Sequence, residues 1–143
     1  MFDFSLGHLF VIRVAGNIVA PSQVGSIEFA AEQFGTRLVV VMGHADCGAV
    51  LATINELKHP TESRSPNLSA IVDRIRPAVE PLMAVETGET QLLNQDVRAN
   101  IHASVNHLRH GSTILKNQIS NEGLQIVGAE YSLVSGEVEF LDD

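Results

Sequence analysis

The chain has 143 residues, the size of a single domain, and residues 1–143 are treated as one unit. Hydrophobic residues make up 45% and charged residues 18%, a balance that is typical of a folded protein and excludes an intrinsically disordered one. The net charge of −8 argues against nucleic acid or an anionic membrane surface as a partner, and no run of about 18 apolar residues predicts a membrane span. One cysteine forms no internal disulfide and the first residues lack the features of a secretory signal, so we expect a cytoplasmic protein.

The first third of the chain predicts a strand, a helix and a second strand. Residues 10–14 form a short β-rich run. Ser22 is the expected cap of a helix that ends at about Phe34, and Gly35 occupies the position that commonly follows a helix end. The continuous apolar run over residues 38–42 is typical of a strand that is covered on both faces in a parallel sheet.

The rest of the chain predicts more helices and then two strands. Apolar residues recur at helical spacing in four segments, which cover residues 48–57, 67–84, 91–108 and 114–119. Pro77 is expected to kink or end the second of these helices, and the polar residues 58–66 predict a loop. A strand is expected at residues 124–129, followed by a terminal hairpin over residues 131–141.

Strands that alternate with helices favour right-handed crossovers between parallel strands. The predicted fold is therefore α/β, a mostly parallel β-sheet flanked by helices. Ligands bind such sheets at the carboxyl ends of the strands. The residues that follow the strand at 38–42 accordingly lie where a site is expected.

His44 and Cys47 are the candidate metal ligands. They lie three residues apart on a turn flanked by Gly43 and Gly48, between a strand and a helix, and so present an imidazole nitrogen and a sulfur to one Zn²⁺. A zinc site normally needs at least three protein ligands, and the chain has no second cysteine. Asp46, between the two candidates, is interpreted as a turn or helix-start residue in preference to a catalytic base.

Several segments together resemble the β-class carbonic anhydrases. The matching segments are Gly7-x-Leu9-Phe10-Val11-Ile12-Arg13-x-Ala15-Gly16-Asn17, Ser26-Ile27-Glu28-Phe29-Ala30, Gly43-His44-x-Asp46-Cys47-Gly48-Ala49, Val127-Gly128-x-x-Tyr131 and Gly136-x-Val138. The resemblance covers nearly the whole chain. It implies the fold of that family, a Zn²⁺ held by Cys, His and Cys, reversible hydration of CO2 to bicarbonate, and dimers as the smallest assembly.

The resemblance also shows a departure from the family pattern. The family carries an earlier Cys-x-Asp-x-Arg motif, which supplies the first zinc ligand and an Asp–Arg pair that acts on the zinc-bound water. The match in this chain begins just after that motif, so only His44 and Cys47 correspond to family ligands, and Arg13 and Asp3 belong to other elements. We therefore expect weak or absent activity from this chain alone, and its zinc occupancy stays open.

The same departure removes one interior strand of the family sheet, next to residues 10–14. Either the neighbouring strands pair directly or another chain fills the gap. The apolar residues at the start of the chain, Phe2, Phe4, Leu6 and Leu9, favour the second outcome. We expect an obligate homo-oligomer, a dimer or larger.

Two classes of function follow, a zinc lyase of this family and a non-catalytic relative that acts as an assembly or binding protein. For the lyase, a third ligand is open: it is one of the remaining histidines or a group from a symmetry mate, including two His44–Cys47 pairs that share one ion. A thiol function for Cys47 is a further alternative, without a second cysteine to support it. The remaining histidines are His8, His59, His102, His107 and His110.

Overall fold

The computed structural model describes residues 5, 7–60, 65–84 and 88–142, apart from the side chains of residues 89 and 90. The α-helices of this part are Pro21–Phe34 (α1), Gly48–Lys58 (α2), Pro66–Val79 (α3), Glu89–Gly111 (α4) and Thr113–Glu122 (α5). The strands are Leu38–His44 (β1), Gln125–Tyr131 (β2) and Val138–Leu141 (β3). Short 3-10 turns cover Ala15–Asn17 and Glu80–Ala84.

The three strands form one sheet in the order β1-β2-β3. β1 and β2 are parallel, with Leu38 opposite Gln125 at one end and His44 opposite Tyr131 at the other. β2 and β3 are antiparallel, so the terminal hairpin predicted over residues 131–141 has β2 itself as its first arm, with Tyr131 opposite Val138. The α/β class and the two predicted strands at residues 38–42 and 124–129 are confirmed.

The core lies between the sheet and the long helix α4, which packs against both β1 and β2. Val97, Ile101, Val105 and Leu108 form the buried apolar line of this helix, at the helical spacing expected for a core-facing side. Within the residues described, no helix is both long enough and apolar enough to cross a membrane.

The strand predicted at residues 10–14 does not form, and Phe10 and Val11 are 48% and 66% exposed. The Phe10 ring lies 6.0 Å from that of Phe34, just before β1, and Asn17 Oδ1 lies 3.2 Å from where a Cβ on Gly43 would stand, near the end of β1. No backbone hydrogen bond joins residues 9–14 to β1. Because a strand needs a partner for its backbone groups, the segment stays irregular, and β1 keeps one edge unpaired among the described residues.

Two local predictions are wrong. α1 begins at Pro21 with Ala20 as its N-cap, and Ser22 donates instead to Gln23 Oε1 at 3.1 Å. Proline suits the first helical position because its missing N–H would have had no helical partner there. β1 is not covered on both faces, since Leu38 is 52% exposed. The predicted helix end is confirmed, with Gly35 in the left-handed region at φ 64°.

The remaining helices follow the predictions with shifted boundaries. α3 contains Pro77 and passes at Val79 into the 3-10 turn. Residues 114–119 lie in the separate helix α5, because Ser112 interrupts the helical run and caps α5 by accepting from the Leu115 N–H at 3.1 Å. Residues 61–64 of the predicted loop, and the apolar residues 2, 4 and 6, lie outside the described residues.

Candidate functional site

The turn between β1 and α2 positions both candidate ligands. His44 is the last residue of β1, and Cys47 is the N-cap of α2. The turn is held at its centre, since the Ala45 N–H donates to the Tyr131 carbonyl of β2 at 3.0 Å. Asp46 is exposed and adopts φ 56°, a left-handed conformation in which aspartate is among the more tolerated residues. The structure thus places both candidates at the carboxyl end of β1 and Asp46 in the tightest part of the turn.

The His44 ring is oriented by its own turn. Its Nδ1 lies 2.8 Å from the Ala45 carbonyl oxygen, and a carbonyl only accepts hydrogen bonds. In the neutral ring Nδ1 therefore carries the proton and Nε2 has the lone pair. This arrangement is the one in which a carbonyl fixes the tautomer of a metal-binding histidine.

Cys47 is the second candidate and is almost fully buried, at 3% exposure. It stands at the amino-terminal end of α2, where the unpaired N–H groups and the helix dipole favour negative charge. A thiolate is the form of cysteine that binds metal. Its position therefore suits a metal ligand, although burial equally suits a small apolar core residue.

The donors do not complete a zinc site. Over the described residues, no group of three or more His, Cys, Asp or Glu side chains is arranged to hold a metal ion. The five other histidines all belong to this part of the chain, and none of them joins His44 and Cys47 in such a group. The pair supplies one nitrogen and one sulfur, so a zinc site at this turn needs at least one further donor from elsewhere.

A polar network behind the turn was not predicted from the sequence. Asn100 Nδ2 donates to the Gly16 carbonyl at 2.7 Å, and Ser104 Oγ donates to the Asn17 carbonyl at 2.9 Å. These bonds tie α4 to the 3-10 turn Ala15–Asn17, beside the end of β1. The signal in the sequence was a polar line on α4, because Asp96, Asn100 and Ser104 recur every four residues beside the apolar line.

An ion-pair cluster lies on the other side of the turn. Arg98 Nε is 2.7 Å from Glu130 Oε2, and Arg98 Nη2 is 2.5 Å from Glu139 Oε2. The hydrogen bond to Glu139, together with the charge of Glu130, raises the pKa of Arg98 above its ordinary value. These residues line a pocket of about 660 Å³ with Ala45. The cluster thereby links α4 to the hairpin strand that holds the turn.

Comparison with known proteins gives consistent matches over nearly the whole chain. Residues 1–138 match a family model described as carbonic anhydrase. The chain is 33% identical to a carbonic anhydrase of Mycolicibacterium smegmatis over 139 residues, which are 97% of this chain and 66% of that protein. It is 33% identical to carbonic anhydrase 2 of Mycobacterium tuberculosis over an alignment of 145 positions, which covers 99% of this chain and 67% of the relative. The chain thus spans about two thirds of the length of these relatives.

Solved structures show the same fold at lower identity. A β-carbonic anhydrase of the fungal pathogen Aspergillus fumigatus superposes with a TM-score of 0.82 at 23% identity, over 96% of this chain and 65% of that one. A structure from work on two tetrameric β-carbonic anhydrases of Sordaria macrospora gives a TM-score of 0.79 at 22% identity, over 97% and 71%. At these identities the likeness concerns the fold alone.

Proposed function

The chain belongs to the β-carbonic anhydrase family, and on this premise we propose that it is a zinc-binding member in which His44 and Cys47 are two of the metal ligands. The observation that carries the proposal is the turn itself. One tightly held turn at the carboxyl end of β1 offers the sulfur of Cys47 and Nε2 of His44, whose Nδ1 is engaged by the Ala45 carbonyl. Asp46 serves the conformation of the turn and is not assigned as a catalytic base.

The substrate pair proposed for the complete site is CO2 and bicarbonate, as in the family. Zinc in a complete site supplies hydroxide at neutral pH by lowering the pKa of bound water to about 7. Because His44 and Cys47 do not complete such a site, no catalytic step is assigned to this chain alone. A structural zinc site contributes roughly 10–16 kcal/mol, and the lack of one thiolate ligand weakens binding substantially. We therefore expect the chain by itself to hydrate CO2 weakly or not at all.

Zinc content tests the assignment of the ligands. We expect zinc in protein purified without added metal, measured per chain by elemental analysis. One ion per chain indicates that each chain recruits its own further ligand, and half an ion per chain indicates a site shared by two subunits. His44→Gln and Cys47→Ser should each lower the zinc content at least tenfold, a typical effect of impairing a metal site. His59→Gln is the matched control and should leave it unchanged, since His59 is exposed and lies beyond the end of α2. Absence of zinc from the unaltered protein, or its retention in both variants, contradicts the proposal.

The catalytic part of the proposal has a separate test. CO2 hydration is measured by stopped flow with a pH indicator, on protein supplied with zinc. We expect a rate close to that of the buffer. A turnover approaching the roughly 10⁶ s⁻¹ of an efficient zinc carbonic anhydrase would show that the chain completes the site without a Cys-x-Asp-x-Arg motif.

A homo-oligomer is part of the same proposal. Among the described residues β1 has an unpaired edge, and no backbone hydrogen bond joins residues 9–14 to it. Unpaired strand edges are sites of strand addition by another chain. A second copy of this chain at that edge would pair the backbone groups of β1 and cover Phe10 and Leu38, which are both about half exposed. The cytoplasmic location expected from the lone cysteine is retained as part of the proposal.

A further inference from the structure

Asp96 is the most unusual side chain in the interior. It lies on α4 with 0% exposure, and neither of its carboxylate oxygens has a hydrogen-bond partner. Among the described residues, the one other buried side-chain nitrogen or oxygen without a hydrogen-bond partner is Gln118 Oε1, which belongs to a neutral amide. Buried polar groups in native proteins are nearly always bonded, and an ionised carboxylate without a partner is far more costly to bury than a neutral amide.

The surroundings of Asp96 favour its neutral form. Burial alone raises the pKa of its carboxyl from 3.8 to about 6. The elements packed against α4 carry titratable side chains. None of these side chains contributes to the raised pKa of Asp96, because burial is its only cause. They include His44, Cys47, Asp73, Arg76, Glu80 and Glu130.

Asp96 is level with the candidate site along α4, but its side chain is on a different side of the helix from the pocket there. Asn94 and Arg98, two residues away on either side, line the pocket that includes Ala45, and helical residues two apart do not face the same way. One turn further along α4, Asn100 holds the Gly16 carbonyl, and Asn100 and Asp96 lie on the same side of the helix. Asp96 is thus in the turn of α4 that is level with the carboxyl ends of the strands.

We propose that Asp96 is a proton-binding site of the fold, whose protonated form stabilises the packing of α4 and whose ionised form weakens it. A carboxyl group with a raised pKa in the folded state binds a proton that the unfolded chain releases. The free energy of unfolding therefore falls as pH rises from about 4 to about 6, and is level above that range. The inference concerns the fold and does not depend on zinc binding.

A direct titration tests the proton-binding site. The protein is labelled with ¹³C-aspartate, and the Asp96 carboxyl resonance is assigned by its loss in Asp96→Asn. We expect a titration midpoint near 6 for Asp96, against about 4 for an ordinary aspartate. A midpoint at or below about 4 for Asp96 overturns the proposal.

The stability of Asp96→Asn gives a second test, because asparagine has nearly the shape of the neutral carboxyl. Urea unfolding is measured at several pH values, and the folding equilibrium constant of the variant is divided by that of the unaltered chain. This ratio should rise about 100-fold between pH 4 and pH 8, as a pKa difference of about two units requires. Asp142→Asn, which removes an exposed carboxylate near the end of the chain, is the control and should give a constant ratio. A flat ratio for Asp96→Asn, or failure of that variant to fold at pH 8, contradicts the proposal.

Amide hydrogen exchange gives a third test. After correction for the intrinsic pH dependence of exchange, protection of the amides at residues 92–98 should fall between pH 5 and pH 8 in the unaltered chain. Asp96→Asn should abolish this fall. Protection that stays constant over this range in the unaltered chain contradicts the proposal.

Discussion

At the scale of single residues, the absence of a side chain on Gly43 allows α4 to approach the sheet closely. A Cβ on Gly43 would stand 2.7 Å from Ile101 Cδ1 and 3.2 Å from Asn17 Oδ1. Gly128, on the neighbouring strand, is similar, since a Cβ there would lie 2.9 Å from Ile101 Cγ2. Ile101 therefore fills the space above both glycines. Gly43 directly precedes His44 in the chain.

We expect Gly43→Ala to destabilise the fold by about 1–3 kcal/mol, because an added methyl group overpacks the contact with Ile101. The measurement is the free energy of unfolding in urea. Gly25→Ala is the matched control: this exposed glycine lies in α1, and a Cβ there meets nothing within 4 Å. Since alanine favours a helix by roughly 0.5–1 kcal/mol over glycine, the control should be stabilised. Destabilisation of both variants to the same extent would contradict the packing argument.

At the scale of elements, hydrogen-bond partners decided which predicted segments became regular. Residues 10–14 have the composition of a strand but no bonded neighbour, so they form none. Residues 38–42 have the same kind of composition and pair with β2 along their whole length. Backbone partners also decided the helix boundaries. Ser112 caps α5, and α1 begins at Pro21, with Ala20 as its N-cap.

Replacing the cap of α5 tests this reasoning. Ser112→Ala should lower the free energy of unfolding by about 1–2 kcal/mol, the usual range for a lost N-cap. Ser112 Oγ accepts from the Leu115 N–H and also donates to Glu28 Oε1 at 2.6 Å, so its removal leaves partners unpaired on two helices. Ser22→Ala in α1 should change stability by less than about 0.5 kcal/mol, as is usual for a surface site away from special features. Equal losses at Ser22 and Ser112 would contradict the assignment of the caps.

At the scale of the whole molecule, one surface stands out as apolar. Phe10, Phe29 and Phe34 are 48%, 51% and 65% exposed, and the Phe34 ring lies between the other two, 6.0 Å from that of Phe10 and 5.5 Å from that of Phe29. In this aromatic cluster, Phe34 is the last residue of α1 and precedes β1 by a short connection, and β1 has an unpaired edge among the described residues. An exposed aromatic group beside an open strand edge is the kind of surface that another copy of the chain covers.

We expect the protein to be a dimer or larger across micromolar concentrations in light scattering. Phe34→Lys should shift the mass toward the monomer, because it places a charge in the aromatic cluster, while a cation at the end of α1 suits the helix dipole. Val134→Lys is the control: Val134 is 95% exposed in the turn of the hairpin, away from the cluster, and the mass should not change. A monomeric unaltered protein over this range contradicts the proposed assembly.

The sequence by itself determined the α/β class, the two parallel strands, the return of the chain in a terminal hairpin and the position of His44 and Cys47 at a strand end. These features depend on local apolar patterns and on glycine positions, which act within a few residues. Only the tertiary structure decided that residues 10–14 would stay unpaired, that Ser112 and not Ser22 would act as a cap, and that Asp96 would be enclosed without a partner. Each of these depends on what lies opposite a backbone or side-chain group in space. Local sequence patterns do not reveal those neighbours, because they come from distant parts of the chain.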